Sequence, residues 1–243
     1  MDIHPHAIVM IPSGPSTPAL MLVLLLLISP LTGCLGIGGG GDKGPFTIKN
    51  LGVNFGDYNN TTHRAGDFIL SHSTDEFLEF GAEVQSSEGG MKVLPTFEYR
   101  IHDLAEVFTI ASGKVTWMDY QEDTEDYEIS VTFGNIITGT TVSYDHISNP
   151  TVVKGDIVEA GHVLGNPGTW RDDGVGRFEI MINAADGYSY CPFVHFDSEL
   201  TFEYQLHVAQ LMADIEAFEG DPTVYDEDNM AYPGCNFDRY ETY

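Results

Sequence analysis

Between Phe46 and Ile182 the chain alternates apolar and polar side chains in short runs, and Gly, Asn and Asp break those runs. Tyr127, Ile129, Val131 and Phe133 alternate with Glu128, Ser130 and Thr132. That two-residue period belongs to a strand with one buried face. Val142, Tyr144 and His146 alternate in the same way with Ser143 and Asp145, which turns His146 to the face of Val142 and Tyr144. Phe97, Tyr99 and Ile101 form a further run, and Phe178, Ile180 and Ile182 another. Many short strands at this spacing predict a mainly β fold, a compact antiparallel sandwich or barrel. The segment Asp119 to Glu128 carries six carboxylates and reads as a solvated hairpin tip.

The period changes towards the C-terminus. Leu200, Tyr204, Val208, Leu211, Ile215 and Phe218 recur at steps of three and four residues, one face of an amphipathic α-helix. Asp197 or Ser198 is placed to cap its start and Gly220 to end it. The acidic, Tyr-rich stretch from Tyr225 to Tyr243 reads as a fixed loop.

At the other end, Ala19 to Ile28 form a ten-residue apolar run. A membrane-spanning helix needs about 20 such residues, so this run has the length of a signal-peptide core. Leu31-Thr32-Gly33-Cys34 follows directly and resembles the prokaryotic lipobox, whose cysteine is diacylated and becomes the new N-terminus. One departure is that no Lys or Arg precedes Lys43, and an uncleaved N-terminal anchor is the competing reading. The Gly-rich segment behind Cys34 reads as a flexible tether. The expected organisation is a signal peptide over 1–33, a lipidated Cys and tether over 34–45, a β-domain over 46–190, and a C-terminal helix and tail over 191–243. Removing 33 residues from the 243 leaves 210, enough for one sizeable core.

Charge narrows the class of partner. Ten basic residues stand against 37 acidic ones, a net −27. Such a surface repels nucleic acid and anionic head groups. With Cys34 lipidated, Cys191 and Cys235 remain as a pair, for which a disulfide is the default in an oxidising compartment. That bridge ties the C-terminal tail to the body. The expected location is extracytoplasmic, lipid-anchored to the cell membrane.

Three segments carry a family resemblance. They are His63-Arg-Ala-Gly-Asp67; the block EVFTIASGKVTW from Glu106 to Trp117, with Val107, Ile110, Gly113 and Val115; and VSYDHISNPTVVKGDIVEAGHVLGNPG from Val142 to Gly168, followed by Gly176-Arg-Phe-Glu-Ile180. This series resembles the lysostaphin/LytM-type zinc metallopeptidases, which cut peptide cross-links in bacterial cell walls. The resemblance implies a compact antiparallel β-fold and a tetrahedral zinc held by His, Asp and a second His, with water in the fourth place. By position, His63 and Asp67 match the first two ligands, and His146 matches a histidine that acts beside the zinc. Where the family has HxHFE this chain has Val175-Gly176-Arg177-Phe178-Glu179. Arg177 stands in the place of the third ligand and has no lone pair to give a metal, and Val175 cannot move a proton.

The resemblance therefore implies a decayed active site in a binding or regulatory module of the cell envelope, with either no cofactor or a zinc ion. Its partners would be the membrane through the lipid anchor, and a cell-wall peptide, glycan or envelope protein. Arg177 offers a bidentate grip on a carboxylate, or a salt bridge to Asp67. The alternatives are an active zinc endopeptidase with a shifted ligand set, and a structural acidic surface protein. For His63 and Asp67 a plain hydrogen-bonded pair at a loop competes with the metal reading. For His146 a satisfied inward histidine competes with a functional one.

Overall fold

The computed structural model describes residues 45–72, 75–86, 89–171 and 174–242. The signal peptide, Cys34 and nearly all of the tether lie outside these residues. The elements are β1 (Tyr58–Asn59), β2 (Arg64–Ala65), β3 (Phe68–Ile69), β4 (Phe77–Leu78), β5 (Glu83–Gln85), β6 (Met91–Val93), β7 (Phe97–His102), β8 (Val107–Phe108), β9 (Gly113–Gln121), β10 (Asp126–Phe133), β11 (Thr140–Ser148), β12 (Ile157–Val158), β13 (Val163–Arg171), β14 (Val175–Ala184), β15 (Tyr188–Tyr190), α1 (Thr201–Glu219) and β16 (Arg239–Glu241). Fourteen of these strands join one antiparallel sheet, and β5 and β6 form a separate hairpin. A mainly β fold with one C-terminal α-helix is what the alternation and the helical period predict.

The sheet runs β1-β2-β3-β7-β14-β13-β11-β10-β9-β12, and β14 also pairs directly with β11. Its apolar face is the alternating set read from the sequence. Phe97, Tyr99 and Ile101 on β7, Phe178, Ile180 and Ile182 on β14, Val142 and Tyr144 on β11, and Ile129 and Val131 on β10 are all buried. Each such side chain contributes about 1.5–3 kcal/mol relative to exposure. The opposite face of β9, β10 and β11 is polar yet covered, with hydroxyl contacts Thr116–Thr132 (2.8 Å), Thr132–Thr141 (2.9 Å) and Ser130–Ser143 (3.1 Å).

Helix α1 buries Val208, Leu211, Met212 and Ile215 in the core. It begins at Thr201, and neither expected residue caps it through its side chain. Asp197 instead organises the turn before the helix: its Oδ1 accepts from Glu199 N (2.9 Å), and its carbonyl accepts from Leu200 N and Thr201 N. Gly220 ends the helix in the left-handed region, at φ 70°, as expected.

Cys191 and Cys235 form the expected disulfide. The tail is more than a fixed loop, because its strand β16 extends the sheet through β15. The acidic segment Asp119 to Glu128 also departs from a uniformly solvated tip. Glu122, Asp123 and Glu125 are exposed, but Asp126 is buried and Glu128 half-buried, since both stand on β10.

Candidate functional site

His63 occupies the turn between β1 and β2 at φ 53°. Its Nδ1 lies 3.0 Å from the Tyr58 hydroxyl, and the Phe218 ring of α1 packs edge-on against it at 5.4 Å. The helix end thus touches this histidine, which stays exposed. Asp67 lies beyond the next turn, where its Oδ2 accepts from Asn54 N (2.8 Å) and Asn54 Nδ2 (3.0 Å). Burial raises its carboxyl above the usual range. The two HxxxD side chains therefore take separate local partners. Among the described residues no group of three His, Cys, Asp or Glu side chains is placed to hold a metal.

His146 is not on the face that strand alternation assigns to it. Tyr127 pairs with Ile147, but Ile129 pairs with Tyr144, so β11 carries one extra residue opposite β10. His146 sits in this bulge at φ 60°, a conformation that a non-glycine residue rarely adopts. The bulge gives the core position to Ile147 and sends His146 to the polar face. There its Nδ1 lies 2.8 Å from Oδ2 of the buried Asp126, whose Oδ1 accepts from Thr124 Oγ1 at 2.6 Å. Gly168 on β13 leaves room for this carboxylate, since a Cβ there would stand 2.4 Å from Asp126 Oδ2.

On the far side of the ring, Nε2 meets Nη2 of Arg177. An arginine can only donate, so Nε2 must accept and the ring proton sits on Nδ1, from which it is donated to Asp126. Asp126, His146 and Arg177 thus form one directed chain of hydrogen bonds. The expected Arg177–Asp67 salt bridge is absent, because Arg177 is engaged here. Its guanidinium also lies over the Trp170 ring, 4.5 Å from the centroid, and Arg100 lies over the same ring at 4.6 Å.

Arg177 and Arg100 are directly opposed on β14 and β7. Two residues along, Glu98, Glu179 and Asp145 are opposed across β7, β14 and β11. A row of carboxylates therefore flanks a row of guanidinium groups. Arg100 holds Glu98 at 2.7 Å. Burial, and after it the neighbouring Glu98, raise the Glu179 carboxyl above its ordinary value. Arg100 Nε and Trp170 Nε1 are buried donors with no acceptor among the described residues.

The structure brings Arg177 and His146, both candidates from the sequence, together with Glu179 of the same motif and with Asp126, Trp170, Arg100 and Glu98, which the sequence did not single out. The polar positions alternating with Phe97, Tyr99 and Ile101 were the available signal for Glu98 and Arg100.

No family profile and no curated protein matches the sequence. Solved structures do. The solution structure of lysostaphin aligns at 18% identity over 44% of this chain and 44% of its own, with a TM-score of 0.35. A variant of the catalytic domain of the prophage-encoded M23 protein EnpA from Enterococcus faecalis aligns at 15% identity over 46% of this chain and 85% of its own, with a TM-score of 0.35. A zinc-containing peptidase from Vibrio cholerae aligns at 14% over 56% of this chain and 38% of its own, with a TM-score of 0.37. The chain thus spans less than half the length of lysostaphin. At such identities and scores, activity has to be argued from this chain's own residues.

Those residues do not fit a zinc ion. The position that the family resemblance gives to the third ligand holds a guanidinium, which repels a cation, and His63 and Asp67 are turned to Tyr58 and Asn54. No hydrolytic step through a metal follows from this arrangement.

Proposed function

We propose that this chain is an exported, lipid-anchored protein whose peptidase-like β-domain serves as a binding module of the cell envelope rather than as a hydrolase. The observation that carries this reading is the Arg177–His146 hydrogen bond. It engages the ring nitrogen that a proton-transferring histidine would need free, and it does so from the position of a missing metal ligand. The disulfide supports an oxidising, extracytoplasmic location. A carboxylate-bearing ligand suits Arg177, the partly exposed guanidinium over Trp170.

Elemental analysis of the chain purified without chelator or an added His-tag tests the reading. Zinc at background level in a protein that melts cooperatively is the expected result. Close to one zinc per chain, lost in His63→Ala, would overturn it in favour of a peptidase with a shifted ligand set. For any acidic ligand found, Arg177→Ala is expected to abolish binding, and unchanged affinity would remove Arg177 from the site.

A further inference from the structure

The hairpin joining β10 to β11 presents two large apolar side chains to solvent, Ile136 at 71% and Ile137 at 78% exposure. They do not belong to a loose loop. Asn135 Oδ1 accepts from Ile137 N at 2.8 Å, and Asn135 O accepts from Gly139 N at 2.6 Å. Gly139 fits only because it lacks a side chain, since a Cβ there would lie 2.1 Å from Phe133 O. The turn is therefore built to hold both isoleucines outward.

Its surroundings suit an apolar partner. From Ile129 to Tyr144 the sequence holds no Asp, Glu, Lys, Arg or His, in a chain of net −27. Ile157, 76% exposed, pairs with Lys114 at the sheet edge, and Lys114 pairs with Thr132 beside Phe133. The other end of the same strand β10 is the acidic tip with Glu122, Asp123 and Glu125, about 26 Å away at 3.3 Å per residue. That distance is about three screening lengths, so its charge does not govern the apolar end.

The chain from Cys34 also enters at the apolar end. Phe46, the second described residue, packs its ring 5.9 Å from that of Phe133, the last residue before the hairpin turn. Only ten residues lie between Cys34 and Pro45. A Gly-rich coil of that length has a root-mean-square span of about 18 Å.

We infer that the β10–β11 hairpin, with Ile136 and Ile137 at its tip, docks on the lipid bilayer to which Cys34 is anchored. This rests on the lipid-anchor reading above. The tether raises the hairpin's effective concentration at the surface, so a contact of two side chains suffices. Docking the isoleucine tip points the acidic tip of β10 away from the head groups.

The test reconstitutes the full chain into phosphatidylcholine vesicles with brominated acyl chains. An environment-sensitive dye is placed on Thr138→Cys or, at the opposite tip, on Glu122→Cys. Quenching at 138 and not at 122 is expected. In an Ile136→Ser/Ile137→Ser background that quenching should fall about tenfold or more. Equal or absent quenching at 138, in protein that floats with the vesicles, overturns the docking face and leaves the anchor intact. If the unsubstituted chain fails to float, as Cys34→Ser is expected to, the anchor reading falls and the docking proposal with it.

Discussion

Removing the His146 side chain leaves Asp126, buried in the sheet, with Thr124 as its one remaining side-chain partner. His146→Ala is therefore expected to cost about 1–3 kcal/mol, read as a lower urea midpoint. Glu179 acts in the opposite sense. Its folded carboxyl is raised above the unfolded value by burial and then by Glu98. The folded state thus holds a proton that the unfolded state has released, and stability falls as pH rises from the ordinary carboxylate range through the raised value. Glu179→Gln is expected to flatten that decline and raise the midpoint at pH 7 with little change in acid, which paired denaturation series would show. The identity of Arg177 as a departure was legible in Gly176-Arg-Phe-Glu, because a guanidinium cannot replace an imidazole at a metal. Its partner was not legible, since the direction of His146 depends on a bulge that no alternation pattern encodes.

At the level of elements, the two-residue and three-to-four-residue periods located β7, β10, β11, β14 and α1. They did so because each element buries one face, and burial is what such periods record. They failed where a polar face is also covered, as with Asp126 and Glu98, for in that case polarity no longer marks solvent. They also do not record contacts between distant parts of the chain, as in α1's last turn, where the Phe218 ring meets His63 edge-on at 5.4 Å and stacks on His72 at 4.4 Å. Phe218→Ala is expected to leave the sheet intact and speed hydrogen exchange in the β1–β2 turn, which amide exchange would detect. Gly220→Ala places a side chain at φ 70° and should cost about 1 kcal/mol in thermal or urea unfolding.

For the whole molecule, the disulfide closes a loop between residues 44 apart and should contribute about 2–4 kcal/mol, measured as the drop in midpoint for Cys191→Ala/Cys235→Ala. That pairing was readable once the lipobox reading set Cys34 aside, whereas β16's place beside β15 was not, because a three-residue edge strand leaves no periodic signal. The tail has one more consequence, for the order of assembly. Tyr225 donates its hydroxyl to the carbonyl of Phe77, 148 residues earlier, and Asn236 reaches Glu79 across 157. Ile48, near the start of the described chain, bridges to Phe196 just after the first cysteine of the disulfide. A chain emerging N-terminus first therefore holds an unfinished sheet until residues 225 to 241 are made. Closure over such separations is slow, in the range of milliseconds to seconds. That delay leaves the early strands without their closing partners until residues 225 to 241 arrive to lock them.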